Sequence, residues 1–285
     1  TFVSIVTITF LTVWLSVNVY NIYPMIGLWV DAGRQWGDTE YVDGRDELDR
    51  DNLPTIDVLM PAYHESRVIK SAIRSVRQAN YPQDLIRIIV LTEPDDDDTN
   101  EVLAELAGDF DFHELSYFGD CLTHVVVQYE YPEEPNKPRA LNFGFQESYS
   151  EIVGVLDAED IADPDLFYTV AGAIEGAGYD YVQGRLDMAN EDDGWLNTLF
   201  RGEYGFWYNI HLPAYYHAGY PIPLGGTTNF CRRSVLSEIS EIRKDRFGRR
   251  WEPEDNDWLS GLGLTTEPIP WDPLNVTEDF ELGFL

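Results

Sequence analysis

Two carboxylates one residue apart, Asp157 and Glu159, directly follow the apolar run Ile152–Leu156. At the end of a buried strand that spacing suits one hard divalent cation, Mg2+ or Mn2+, which draws its other ligands from phosphate oxygens. The competing use of acidic residues here is a helix cap. Asp163-Pro164-Asp165 just downstream has that form, so the cap is assigned to Asp163 and the metal to Asp157 with Glu159. Asn136-Lys137-Pro138-Arg139 brings two cations together in a chain that has 19. A diphosphate approaching so acidic a protein needs local positive charge, which Lys137 or Arg139 supplies; a helix start with surface cations is the alternative. The run Asp95–Asp98 reads as a solvated loop, since it lacks the alternation and the glycine of a calcium-binding loop. Glu93, nearer the strand end, is the better ligand contact. Thr277-Glu278-Asp279 offers a carboxylate that acts as general base on a hydroxyl when held in a cleft, with a surface acidic pair as the alternative.

These residues need elements to hold them. Thr55–Met60, Leu85–Leu91, Thr123–Gln128 and Ile152–Leu156 are short apolar runs and read as buried strands. Val68–Ala79, Thr99–Ala107 and Arg139–Glu147 read as helices; the first repeats Val68, Ile69, Ala72, Ile73 and Val76 at helical spacing. This alternation predicts an α/β fold with a mostly parallel sheet covered on both faces. Ligands of such sheets lie at the carboxyl ends of the strands. Tyr63-His64-Glu65, Glu93–Asp98 and Asp157–Asp160 all fall there. No G-x-G-x-x-G and no P-loop pattern follows a strand, which disfavours dinucleotide oxidoreductases and P-loop kinases.

The chain has 285 residues, 51 of them acidic and 19 basic, for a formal net charge of −32. Its 44% hydrophobic and 14% aromatic content excludes a disordered polyanion. The charge argues against nucleic acid as a natural partner and disfavours a polyanionic acceptor, because phosphate binding is driven by Lys and Arg. Only three lysines occur, and the excess of Asp and Glu suits a surface adapted to high salt. Cys121 and Cys231 form no metal or disulfide pattern and read as buried thiols. Thr1–Val30 holds no charge and is long enough for a transmembrane helix, with Tyr20, Tyr23 and Trp29 suiting the interface. It has neither the positive start nor the cleavage site of a signal peptide. The expected organisation is a membrane helix at 1–30, an acidic linker at 31–53 and a catalytic domain at 54–285. The chain starts at Thr, so earlier spans are expected to be missing.

The order PAYHE, acidic strand end, NKPRALN, DAED, PLGGTTNF and NVTED, over Pro54–Leu285, resembles family 2 glycosyltransferases. The likeness is to membrane-bound β-glycosyltransferases related to cellulose synthase. The resemblance implies a GT-A fold, a nucleotide-sugar donor, a divalent metal, a glycan or lipid-linked acceptor and a domain facing the cytoplasm. It implies that Pro61, Ala62, Tyr63 and Glu65 form the first nucleotide loop. Glu93 then meets the base, Lys137 the diphosphate, and Asp157 with Glu159 the metal, Glu replacing the second Asp of D-x-D. Gly225, Gly226 and Thr227, with Glu278, fall on the acceptor side, and Asp279 is the catalytic base. The Q-x-x-R-W element of processive members does not follow Asp279, so the domain is expected to be truncated at its C-terminal end. In relatives the aromatic stretch Trp195–Tyr220 looks like an amphipathic helix at the membrane surface; plain core or interfacial packing is the preferred reading for most of its rings, and 237–270 reads as an insertion without a role. A nucleotidyltransferase would need a basic pyrophosphate loop near its start, which is absent. A non-catalytic glycan-binding relative is the remaining alternative.

Overall fold

The computed structural model describes residues 26–27, 29–30, 44–46, 48–109, 122–127, 135–188, 194–247 and 270–272. Most of the expected membrane helix, Cys121, Glu278 and Asp279 lie outside these residues. Among the described residues, no helix is long and apolar enough to cross a membrane. The chain divides into two compact units, one of residues 1–41 and 185–222, the other of 42–184 and 223–285.

The larger unit is a six-stranded sheet. Its strands are β1 (Ile56–Ala62), β2 (Ile86–Thr92), β3 (Leu122–Val126), β4 (Ile152–Val155), β5 (Tyr181–Gln183) and β6 (Asn229–Arg232). Their spatial order is β3-β2-β1-β4-β6-β5. β1 lies parallel to β2 with Ile56 opposite Ile86, and parallel to β4 with Ile56 opposite Ile152. β2 and β3 are also parallel. β6 runs antiparallel to both β4 and β5, so the sheet is mixed rather than uniformly parallel.

Strand side chains alternate between two faces, and both faces are covered. On one face Ile56, Val58 and Met60 join Ile88 and Val90 under helix α1 (Ile69–Arg77), whose Ile69, Ala72, Ile73 and Val76 are all buried. On the other face Leu59, Ile89 and Leu91 meet the helix over Lys137–Glu147 through Leu141 and Phe145. In chain order the remaining helices are α2 (Asp97–Asp109), α3 (Lys137–Glu147), α4 (Leu166–Ala171), α5 (Trp195–Phe206), α6 (Leu212–His217) and α7 (Arg233–Phe247). Helix α7 corrects the reading of 237–270 as an insertion without a role over 237–247, where Ile239 joins Leu236 in the core of the second face; 248–269 lie outside the described residues. The cap assignment also shifts. Helix α4 begins after Asp165, and Asp163 instead accepts the Asp165 N–H at 2.8 Å in the turn before it.

In the smaller unit, α5 continues through one widened turn, Trp207–His211, into α6. Trp29 donates its indole N–H to His211 Nδ1 at 3.1 Å, and Trp207 stacks on the same imidazole at 4.5 Å. Trp195, Leu199, Phe200, Tyr216 and Tyr220 are exposed.

The amino-terminal edge of the large sheet is pinned by a buried charge. Asp57, fully buried in β1, accepts two hydrogen bonds from Arg87 of β2, at 2.9 and 2.8 Å. It also accepts the Tyr149 and Ser150 N–H groups and the Ser150 hydroxyl, just before β4. Arg87 lies 3.7 Å from the Tyr149 ring centroid. Burial alone would raise the Asp57 pKa, but the Arg87 and Ser150 hydrogen bonds outweigh it and hold the carboxyl below its ordinary value. Asp57 therefore stabilises the fold above the unfolded carboxyl pKa of about 4, and the stabilisation disappears as pH falls through the lower folded value. Asp57→Asn is expected to cost about 3–5 kcal/mol at pH 7, because it leaves Arg87 buried without its anion. Denaturant titrations from pH 7 to pH 3 should show less acid sensitivity in the variant than in the wild type.

Candidate active site

Each central strand ends in a loop that carries polar groups, and these loops surround a cleft of about 300 Å3. After β1, Pro61, Ala62, Tyr63 and Glu65 form one wall. His64, between the last two, has φ +64°, in the left-handed region that non-glycine residues rarely enter. Asp96 holds it there, accepting the His64 N–H at 2.6 Å and the Thr99 N–H at 3.2 Å. The Thr99 hydroxyl accepts the Glu65 N–H at 3.1 Å. Asp96 is 1% exposed, which corrects the reading of the whole Asp95–Asp98 run as solvated. Its burial opposes ionisation, but the Thr99 and His64 hydrogen bonds prevail and lower its pKa.

Glu93, after β2, also lines the cleft. It forms a buried ion pair with Arg139, one turn into α3. Burial raises the Glu93 pKa, and the Arg139 bond and charge only partly offset that. Of the two cations offered for a diphosphate, Arg139 is thus committed to Glu93, and Lys137 faces the cleft. Asn136 caps α3, accepting the Arg139 N–H at 2.9 Å, and Pro138 sits in the first turn, where its missing N–H costs nothing.

After β4, Asp157 and Glu159 both line the cleft. The turn is closed by residues distant in sequence. Thr227 accepts the Asp157 N–H at 2.9 Å and donates its hydroxyl to Asp160, which also accepts the Asp157 N–H at 3.3 Å. Thr227, expected on the acceptor side, therefore spends its hydroxyl on the acidic turn. Gly225 is fixed alongside: Gln183 accepts its N–H at 2.8 Å, and Asn229 donates to its carbonyl at 2.8 Å. Lys137 joins the two sides, bonding to Asp157 Oδ1 and donating to the Gly226 carbonyl at 2.5 Å.

Among the described residues, no three His, Cys, Asp or Glu side chains group into a complete metal site. Asp157 and Glu159 nevertheless fit a divalent cation that takes further ligands from phosphate. Both are hard oxygen donors on one turn. The Glu159 carboxyl, though exposed, is held above its ordinary pKa by partial desolvation and then by the charges of Asp157, Glu65 and Asp160, a crowding that a cation would relieve.

All eight expected donor and metal residues thus meet at one cleft. Asp279 and Glu278 lie outside the described residues. Sequence reasoning missed Gln183 and Asn229, whose amides carry no motif of their own, and the supporting roles of Asp96 and Asp160.

Residues 54–285 match the sequence profile described as Glycosyltransferase like family 2. This chain belongs to that family. It is similar to a probable glycosyltransferase, YdaM, of Bacillus subtilis, at 27% identity over 139 residues, covering 48% of this chain and 31% of that one. It is also similar to an N-acetylglucosaminyltransferase of Mesorhizobium japonicum, at 26% identity over 204 residues, 71% of this chain and 45% of that one. The chain thus spans less than half the length of either relative. Among solved structures it resembles a mannosyltransferase from Pyrobaculum calidifontis in complex with GDP-Man and Mn2+. There the TM-score is 0.58 and the identity 18%, over 79% of this chain and 56% of that one, a likeness of fold. The fold is accordingly of the GT-A kind.

The Glu93–Arg139 pair gives a direct test of the cleft wall. Arg139→Met is expected to cost about 3–5 kcal/mol by stranding a buried carboxylate, and adding Glu93→Gln should recover most of the loss. Equilibrium denaturation of both single variants and the double variant reads the coupling.

Proposed function

We propose that this chain is the catalytic part of a membrane-anchored inverting glycosyltransferase. It moves a sugar from a nucleotide-sugar, in first place a UDP-hexose or UDP-N-acetylhexosamine, to a hydroxyl of a polysaccharide or lipid-linked acceptor. The observation that carries this reading is the convergence of Asp157, Glu159, Lys137 and the Pro61–Glu65 loop on one cleft at the strand ends. The relatives named as sugar transferases support it, as does a neighbour solved with a nucleotide-sugar and Mn2+.

In this reading Lys137 and the positive amino-terminal end of α3 bind the diphosphate. Asp157 and Glu159 hold a divalent metal, Mg2+ or Mn2+, which when bound neutralises charge on the leaving diphosphate. The exposed ring of Tyr63 and the neighbouring Glu93 face the nucleoside end of the donor. Gly225–Thr227 border the acceptor. Asp279 removes the proton from the acceptor hydroxyl as its oxygen attacks the anomeric carbon from the side opposite the nucleotide. The new C–O bond forms as the bond to phosphate breaks, the nucleoside diphosphate leaves with the electron pair, and the anomeric configuration inverts. Thr1–Val30 anchors the chain, and the domain faces a salty cytoplasm.

Membranes holding the full-length protein, assayed in multimolar KCl with UDP-glucose, UDP-N-acetylglucosamine and GDP-mannose, should release one nucleotide in a metal-dependent manner. Asp279→Asn should lower that release by about 10²-fold or more while donor binding persists. Retained turnover would remove Asp279 as the base, and no release from any donor by folded protein would overturn the activity. Thermal unfolding should shift upward between low and multimolar KCl; equal stability in both would end the salt-adaptation reading.

A further inference from the structure

The ammonium of Lys137 is not held out as an open anion site. It is bonded to Asp157, the first of the two carboxylates assigned to the metal, and to the Gly226 carbonyl. Both partners are held by other bonds. The Asp157 N–H is fixed by Thr227 and Asp160, and the Gly225–Thr227 segment by Gln183 and Asn229. The Lys137 side chain, 27% exposed on a flexible four-carbon stem, is the part free to move. The ammonium takes Asp157 Oδ1, and a divalent cation on either oxygen of that carboxylate would place three positive charges around it. Glu159 alone is a weak ligand, and no third carboxylate completes a cage among the described residues.

We propose that Lys137 is an internal counter-ion that closes Asp157 to bare metal and yields it only when a nucleoside diphosphate arrives to take the ammonium. The inference rests on the donor and metal reading above. Phosphate oxygens replace Asp157 as the partner of Lys137, and Asp157 becomes a metal ligand. Metal and nucleotide therefore bind with positive coupling, each weakly alone, and by linkage the coupling is the same in both directions. The Gly226 carbonyl loses its donor in the same exchange, so the acceptor-side segment registers donor occupancy.

The test is Mn2+ binding to the full chain by calorimetry, first with Mn2+ alone and then with saturating UDP or GDP. Wild type should bind Mn2+ weakly alone and strongly with one of the nucleotides. Lys137→Met should bind Mn2+ alone about tenfold more tightly and gain less from nucleotide, since a charge next to the site is gone. Lys137→Gln, which retains a donor for the Gly226 carbonyl, should behave like Lys137→Met. Lys137→Arg should remain weak towards Mn2+ alone. Unchanged or weaker binding of Mn2+ alone by folded Lys137→Met and Lys137→Gln overturns the counter-ion role. Asp157→Asn separates the two levels. If it leaves nucleotide-supported Mn2+ binding intact, or if wild type shows none with either nucleotide, the metal reading itself fails and the counter-ion role falls with it.

Discussion

One ammonium joins the acidic turn after β4 to the glycine segment before β6, and the cleft takes its form around that bridge. Lys137 reaches Asp157 and the Gly226 carbonyl from the first turn of α3. Asp157 otherwise stands beside the like charges of Glu159 and Asp160. The same helix sends Arg139 away from the cleft mouth to neutralise buried Glu93. Two cations, two residues apart, thus serve carboxylates from two different strand ends, because successive odd positions on a helix point in widely different directions.

Not every inward-facing carboxylate of the described residues is answered by a lysine or arginine. Asp96 and Asp160 show the alternative, satisfied by backbone N–H groups and threonine hydroxyls. Asp96 gains enough from its donors to stay readily ionised, whereas at Asp160 burial prevails over the Thr227 bond and the carboxyl is raised. Neutral donors cost no scarce arginine and fix geometry through direction. The outcome is that the turns carrying Asp96 and Asp160 are shaped by neutral donors, while Lys137 bridges the turn after β4 to the glycine segment.

The first four strands and their helices were legible because each carries an apolar run or a helical repeat, as in LIRIIVL or Val68–Val76. The donor-side residues were legible because motif order places them at strand ends. β5 and β6 were not, since YVQ and NFCR are too short and too polar to show a period. Helix α7 was hidden because its buried face mixes Leu236 and Ile239 with Ser240 and Arg243. Asp96 stood in a run of four identical residues, where composition cannot say which one turns inward. The choice between Lys137 and Arg139 also needed coordinates, because it depends on which way a helix turn faces.

The larger unit is not continuous in sequence; residues 185–222 leave it and the chain then returns. The acidic turn at 157–160 is closed by a hydroxyl 70 positions further on, and Lys137 finds its carbonyl 89 positions further on. During synthesis the first four strands leave the ribosome with Asp57, Glu93 and Asp96 already able to find their partners, but with the turn at 157–160 still lacking Thr227. The clasp arrives only after the intervening segment has been made, so a nascent chain arrested before Thr227 carries the acidic turn without its closure. Such long-range contacts form late, since the entropy of closing the loop must be met before they stabilise anything. The closure of the cleft at the ends of the central strands therefore waits on the making of residues 185–227.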